Sequence, residues 1–216
     1  MKTDQWFVYG AGGFGFETMD ILNAVLARQN AEKYHRAFVI DDRKIDEIQG
    51  YPVLSLEECR DGNIIIAVGE PVTRVKMLIR VRSSSLRLKS LIAPSAVVSS
   101  SAEIVDGVVI APLCSIQARA KIEENAAINT MAIVGHDVTV KASAVISSMV
   151  NLGGSVTVGE ESYIGMGAMI KEGVKIGSNT IIGMGSVVYK DVPDGVIALG
   201  NPARVARKNE DRKVFK

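Results

Sequence analysis

The sequence predicts a small α/β domain with a parallel sheet, followed by a long parallel β-solenoid. Between Trp6 and Arg82, short apolar runs alternate with helical patterns, an order typical of parallel strands joined by helices. From Ile92 to Val188 every sixth residue is aliphatic, and the residue two positions earlier is never larger than Val. Neither a helix nor an alternating strand has a period of six, whereas a coil of short strands with tight corners does. We therefore expect two domains, 1–91 and 92–216.

The N-terminal elements follow from local patterns. Apolar runs bounded by turn residues predict strands, and apolar residues at helical spacing predict helices. Pro71 suits the first turn of the second helix. The predicted elements are the strands Trp6–Tyr9, Phe38–Ile40 and Ile64–Val68, the helices Glu17–Asn30 and Val72–Arg82, and the stretch Leu88–Ile92 that joins the solenoid.

A glycine-rich loop lies between the first strand and the first helix. Its glycines are Gly10, Gly12 and Gly15, and glycine lets backbone amides approach a phosphate at a positively polarised helix N-terminus. Asp41 and Asp42 end the next strand, where ribose or base hydroxyls would be held. Since the domain has about half the strands of a full dinucleotide fold, we expect a single nucleotide diphosphate here. A tight turn that needs glycine only for packing is the alternative.

Arg74 follows the third predicted strand and belongs to the second helix. A guanidinium at this edge of a parallel sheet would pair with a phosphate or a carboxylate of the ligand. A solvated helix residue is the alternative interpretation of Arg74.

One histidine of the solenoid has neighbours that indicate chemistry. Three six-residue repeats would close a triangular coil of 18 residues, which stacks residues i and i+18 about 4.8 Å apart. His136 comes just past a corner, where side chains point outward, and Asp137 follows it. Gly154 lies one coil above His136. A base beside a backbone amide donor suits acyl transfer, and an ordinary structural histidine is the alternative.

Composition and charge exclude several classes of protein. The chain has 25 basic and 24 acidic residues, which leaves no general field for nucleic acid or an anionic membrane. The sequence has no apolar run of 18 residues and no signal-peptide layout. Cys59 and Cys114 are far apart and predict free thiols, and no N or S ligands cluster around His136 to bind a metal. We expect a soluble cytoplasmic protein.

These motifs together resemble the bacterial sugar O/N-acyltransferase family, whose hexapeptide-repeat domain is a left-handed β-helix. The family includes trimeric, acetyl-CoA-dependent enzymes that N-acetylate nucleotide-linked 4-amino sugars, and sialic acid O-acetyltransferases. The matching stretches, which span nearly the whole chain, are Tyr9–Gly15, Phe38–Asp42, Gly50–Val53, Ala67–Pro71 with Arg74, Ile128–Thr130, Val134–Asp137 and Gly200–Ala203.

The resemblance implies a role for each matching residue. His136 would be the general base, Asp137 would orient it, Asn129 would contact the sugar, and the Gly154 amide would hold the thioester carbonyl. Coenzyme A would lie along the coils between neighbouring subunits of a homotrimer, with Gly173 near the pantetheine and Ala198–Arg204 near the adenosine. The nucleotide of the acceptor would be held by Gly10, Gly12, Gly15, Asp41 and Asp42.

The sequence departs from the family pattern in two places. Val145 replaces a second histidine that relatives often carry nine residues after the base, and Phe14 and Phe16 replace polar residues of the glycine-rich loop. The leading hypothesis is N-acetylation of a nucleotide-linked 4-amino-4,6-dideoxy sugar in surface glycan biosynthesis. The alternatives are O-acetylation of a sugar or sialic acid, a non-catalytic trimeric binding module, and an NAD-dependent enzyme.

Overall fold

A computed structural model describes residues 5–31, 33–41 and 45–215, and places an α/β domain before a triangular parallel solenoid. The N-terminal sheet has the strand order β3-β4-β2-β1-β5-β6, parallel except for the β3–β4 pair. The helices pack on this sheet and the predicted fold class is confirmed. Its elements are β1 (Gln5–Tyr9), α1 (Gly13–Arg28), β2 (His35–Val39), β3 (Glu47–Ile48), β4 (Tyr51–Leu54), β5 (Asn63–Ile66), α2 (Pro71–Arg82) and β6 (Arg87–Leu88).

The solenoid consists of two-residue strands, each ending on an aliphatic residue of the six-residue period. Strands pair in parallel with a step of 18 residues, so that Ile110 pairs with Ile128 and Ile128 with Ile146. The strands are β7 (Leu91–Ile92), β8 (Val97–Val98), β9 (Glu103–Ile104), β10 (Val109–Ile110), β11 (Ser115–Ile116), β12 (Lys121–Ile122), β13 (Ala127–Ile128), β14 (Ile133–Val134), β15 (Thr139–Val140), β16 (Val145–Ile146), β17 (Asn151–Leu152), β18 (Thr157–Val158), β19 (Tyr163–Ile164), β20 (Met169–Ile170), β21 (Lys175–Ile176), β22 (Ile181–Ile182) and β23 (Val187–Val188).

Three faces and three corners describe the solenoid. The first face begins with β7, the second with β8 and the third with β9, and each continues with every third strand. We call the turn from the first to the second face the first corner, the turn from the second to the third face the second corner, and the turn back the third corner. A residue's corner therefore follows from the strand that precedes it.

The interior explains the six-residue period. From Ile110 to Val188 the aliphatic residue of each strand is at most 3% exposed, because it points into the prism and packs on the coils above and below. Ile92, in the lowest coil, is 37% exposed. Burying an aliphatic side chain stabilises a fold by about 1.5–3 kcal/mol, so the repeated interior residues hold the coil together.

The C-terminal end adds a hairpin that the sequence predicted only as a tail. β24 (Val196–Gly200) extends the first face beside β22, and β25 (Ala203–Lys208) pairs antiparallel with β24. No helix in the described part of the chain is long and apolar enough to cross a membrane.

Arg74 joins the two domains, which corrects its predicted role as a ligand-binding residue. Its side chain is 0% exposed, and its guanidinium donates to the carbonyls of Ile66 (3.1 Å), Val68 (2.9 Å) and Asn125 (2.7 Å) and to Oδ1 of Asn125 (3.1 Å). Asn125 lies at the third corner and donates in turn to Oγ of Ser143 at 2.9 Å. Burial lowers the pKa of Arg74 to about 9, which leaves the guanidinium charged at neutral pH.

Replacing Arg74 with Leu should strongly destabilise the protein. The substitution leaves four buried oxygen acceptors without their donor, and a single buried polar group left unsatisfied costs about 1–3 kcal/mol. We expect urea unfolding to show a loss of at least about 3 kcal/mol. Arg82→Leu is the matched control, because Arg82 belongs to the same helix and makes only an exposed ion pair with Glu124. A loss no larger than that of the control would contradict the account.

Candidate active site

The second corner after β14 presents an imidazole to solvent. Gly135 allows the coils to stack there, since a Cβ on it would lie 2.7 Å from the carbonyl oxygen of Leu152. Asp137 has a φ of +59° and turns the chain into the third face. The side chain of His136, between them, is 60% exposed. The ring therefore lies outside the prism.

The imidazole lies directly against the backbone of the next coil. A Cβ placed on Gly154 would lie 2.5 Å from both Nε2 and Cε1 of His136, so any side chain at residue 154 would displace the ring. The Gly154 carbonyl accepts the N–H of Gly173 at 2.9 Å, and its own N–H has no acceptor among the described residues. A basic nitrogen and a free backbone donor are thus neighbours at this corner.

An ion pair fixes the protonation of the imidazole. Arg119 donates to Asp137 through Nε (2.6 Å to Oδ1) and Nη2 (2.8 Å to Oδ2). Nδ1 of His136 lies 2.8 Å from Oδ2 of Asp137. Hydrogen bonds from Arg119 and then from His136 hold the pKa of Asp137 at about 2, so the carboxylate only accepts. The proton must therefore lie on Nδ1, which leaves the lone pair of Nε2 free on the side of Gly154.

Arg119 was missing from the predicted site, although a signal for it exists. It lies 18 residues before Asp137, in the same corner position one coil below. The step of 18 that leads from His136 to Gly154 leads equally from Arg119 to Asp137.

Asn129 is at the other end of β14 from His136. It lies at the first corner, and its backbone carbonyl accepts the Sγ–H of Cys114 at 3.1 Å. Its side-chain Oδ1 is buried and has no partner among the described residues. Asn129 and His136 thus flank the second face instead of touching each other.

The glycines of the N-terminal loop divide into two kinds. Gly10 has a φ of +112°, and a Cβ on Gly15 would lie 2.2 Å from the Gly10 carbonyl oxygen, so packing requires both. Gly12 is the N-cap residue of α1, and a Cβ on it or on Gly13 would meet nothing within 4 Å. Helix α1 has neither a side-chain cap nor an acidic residue in its first turn. Its N-terminal amides are therefore open to an anion.

Asp41 lies at the rim of a cavity of about 270 Å³ beside this loop, lined by Tyr9, Gly10, Ala11, Gly12, Val39, Ile40, Asp41 and Met77. The hydroxyl of Tyr9 and the guanidinium of Arg80 both donate to Oδ2 of Asp41, and the Leu56 N–H donates to Oδ1 at 3.3 Å. Burial and the neighbouring carboxylate raise the pKa of Tyr9, which keeps its hydroxyl a donor. Asp42, predicted beside Asp41, lies outside the described residues.

The residues predicted for coenzyme A lie in two places. Gly173 is at the second corner one coil above Gly154, with a φ of +72° and open space around it. Arg204 is exposed on β25, at the upper end of the first face. Ala198 differs from the prediction: its side chain is buried in β24 and its carbonyl accepts the Gly183 N–H at 2.8 Å, so its side chain does not face a ligand. Val145 is likewise buried, in β16 on the first face.

Sequence comparisons identify both parts of the chain. Residues 5–81 match the PglD N-terminal domain family, and residues 155–190 match the bacterial transferase hexapeptide (six repeats) family. The comparison with curated proteins finds no match.

Solved structures match over nearly the full length. A variant of perosamine N-acetyltransferase from Caulobacter crescentus, in complex with CoA and GDP-perosamine, is 32% identical with a TM-score of 0.85, over 93% of this chain and 96% of that one. The acetyltransferase domain of PglB from Neisseria gonorrhoeae, in complex with acetyl coenzyme A, is 32% identical with a TM-score of 0.87, over 94% and 99%. WeeI from Acinetobacter baumannii AYE is 30% identical with a TM-score of 0.87, over 93% and 98%.

Replacing Arg119 with Ala should raise the pKa of Asp137. The variant loses the guanidinium that does most to stabilise the carboxylate, so we expect the titration midpoint to move from about 2 toward the ordinary aspartate value of about 3.9. Titration of the Asp137 carboxyl carbon by NMR measures this. Arg82→Ala, which breaks an ion pair elsewhere, should leave the midpoint in place, and an unmoved midpoint in Arg119→Ala would contradict the ion-pair assignment.

Proposed function

This chain belongs to the left-handed β-helix sugar acetyltransferases that use acetyl-CoA, and on that basis we propose that it N-acetylates a nucleotide-linked 4-amino-4,6-dideoxy sugar for surface glycan synthesis. One observation carries the proposal: the free Nε2 of His136 and the Gly154 backbone meet at an exposed corner. Acyl transfer to an amine needs a base and an oxyanion donor at one place.

Direct attack on the thioester fits the residues at the corner. The acceptor amine, once it has lost its ammonium proton, attacks the acetyl carbonyl carbon while Nε2 of His136 accepts the second proton. The Gly154 N–H binds the oxygen of the tetrahedral intermediate. The C–S bond then breaks, and the imidazolium returns the proton to the coenzyme A thiolate. Asp137 stabilises the imidazolium between these steps.

We place the nucleotide of the acceptor at the N-terminal loop. Gly12 is the position that packing does not explain, and the open N-terminus of α1 would hold the diphosphate. Asp41, oriented by Tyr9 and Arg80, would accept hydrogen bonds from the ribose or base. Asn129 has a buried oxygen without a partner, which suits a contact with a sugar hydroxyl or amine.

A homotrimer with sites between subunits would complete the pocket. Asn129 and His136 flank the second face, and this face with the first corner carries apolar residues that are exposed in the single protomer. Neighbouring copies would cover these residues and enclose coenzyme A along the second corner, from Gly154 past Gly173 to Arg204 at the adenosine end. The exposed apolar residues are Val97, Leu113, Met131, Ile133, Met149 and Met169.

Free thiol release from acetyl-CoA tests the substrate class directly. Acceptors linked to UDP, dTDP, GDP or CMP, each as the amino sugar and as the matched hydroxyl sugar, separate N- from O-acetylation. The proposal requires an amino-sugar acceptor to be used in preference to its hydroxyl counterpart. Thiol release with sialic acid acceptors alone would favour the O-acetyltransferase alternative.

Replacing His136 with Ala should lower kcat by roughly 10²–10⁴-fold, the usual contribution of a general base. His35→Ala is the matched control, since His35 is the other histidine of the chain and is exposed on β2. The control should keep wild-type turnover. Turnover of His136→Ala within a few-fold of wild type would reject the base assignment while leaving the fold assignment intact.

A further inference from the structure

The C-terminal segment 209–215 runs from the hairpin back to the N-terminal domain, and we call it the C-terminal strap. It begins where β25 ends, with the Asn209 N–H donating to the Gly195 carbonyl and its Nδ2 to the Asn179 carbonyl, both at 2.8 Å. Arg212 then forms an ion pair with Glu161. Asn179 and Glu161 are both at the third corner, one coil apart, so the strap descends along that corner.

The strap ends on Glu70, the N-cap residue of α2. The carboxylate of Glu70 accepts the N–H of Val214 at 3.0 and 3.1 Å and that of Phe215 at 3.1 Å. The Phe215 ring packs edge to face on Tyr163, with ring centroids 5.6 Å apart, and a Cβ on Gly69 would lie 3.4 Å from the same ring. Hydrogen bonds to a charged acceptor are stronger than those between neutral groups, so this end of the strap is firmly attached.

The loop that receives the strap borders the nucleotide cleft. Residues 67–70 connect β5 to α2, and a Cβ on Gly10 would lie 2.8 Å from the Ala67 carbonyl oxygen and 2.9 Å from Cγ1 of Val68. The same loop is held from within by Arg74, which binds the carbonyls of Ile66 and Val68 on either side of Ala67. Strap and guanidinium therefore fix the backbone against which Gly10 packs.

We infer that Glu70 is a positioning residue for the acceptor nucleotide, and that it acts through the C-terminal strap. By binding the strap, Glu70 keeps loop 67–70 against Gly10 and so keeps the glycine-rich loop in the shape that receives the diphosphate. Phe215 completes the attachment by covering Gly69. The inference rests on the proposed function, because it assumes that the glycine-rich loop holds the nucleotide.

Three variants test the inference through steady-state kinetics. Glu70→Gln removes the charge that binds the strap amides, and Phe215→Ala removes the ring. Each should raise KM for the nucleotide-linked amino sugar by roughly 5- to 30-fold, the range of a modest coupling between sites. KM for acetyl-CoA should stay within twofold of wild type. Phe215→Tyr keeps the ring and should restore the wild-type acceptor KM.

Lys213→Ala is the matched control, since Lys213 is an exposed residue of the same strap. It should change neither KM. An unchanged acceptor KM in both Glu70→Gln and Phe215→Ala would overturn the inference, and so would equal increases in both KM values, which indicate general destabilisation.

Amide hydrogen exchange separates failure of this inference from failure of the proposed function. Removing the strap attachment should speed exchange at residues 67–70 and in the glycine-rich loop, and leave the second corner unchanged. If the wild-type protein acetylates no nucleotide-linked sugar, the proposed function fails whatever the exchange shows. If the wild type is active and exchange at residues 67–70 is the same in Glu70→Gln, the strap does not position the loop.

Discussion

The stacking of residue i on residue i+18 is the constraint on which the site depends. Parallel pairing joins Val134 to Leu152, and the corners that follow bring His136 against Gly154. The same step sets Asp137 above Arg119. The aliphatic interior fixes the register, because a shift of one residue would turn the interior side chains outward. One packing rule thus places the base, the group that orients it and the backbone donor, although they come from three different coils.

The glycines show how this chain separates the needs of the fold from those of its proposed chemistry. Gly10, Gly15 and Gly135 are required by packing, since a Cβ on any of them would overlap backbone atoms. Gly12 and Gly154 are different: the first faces open space and the second faces the imidazole of His136. Backbone packing leaves room for a side chain at these two positions. Their being glycine is explained by the proposed approach of a diphosphate at Gly12 and of a thioester oxygen at Gly154.

The repeat made much of this structure predictable, because it couples sequence distance directly to spatial distance. The six-residue period predicts the solenoid, and its 18-residue step predicts the meeting of His136 and Gly154 without knowledge of any other contact. No such rule relates Arg74 to Asn125 or Glu70 to Phe215, which are brought together by the packing of one domain on another. Arg74 was therefore expected at a ligand and is found in the domain junction. The short strands β3, β4 and β6 and the hairpin that buries Ala198 carry no comparable pattern.

Replacing Gly154 with Ala tests the central claim most directly, because the new methyl group would occupy the place of the His136 ring. Gly167→Ala is the matched control: residue 167 stacks above Met131 and Met149, which hold the same corner position at φ values of 63° and 58°. We expect Gly154→Ala to keep the fold and the thermal stability of the control while kcat falls about 10²-fold, the cost of misplacing a catalytic group by about 1 Å. Turnover of Gly154→Ala equal to that of Gly167→Ala would contradict the claim that the stacked corner is the acyl-transfer site.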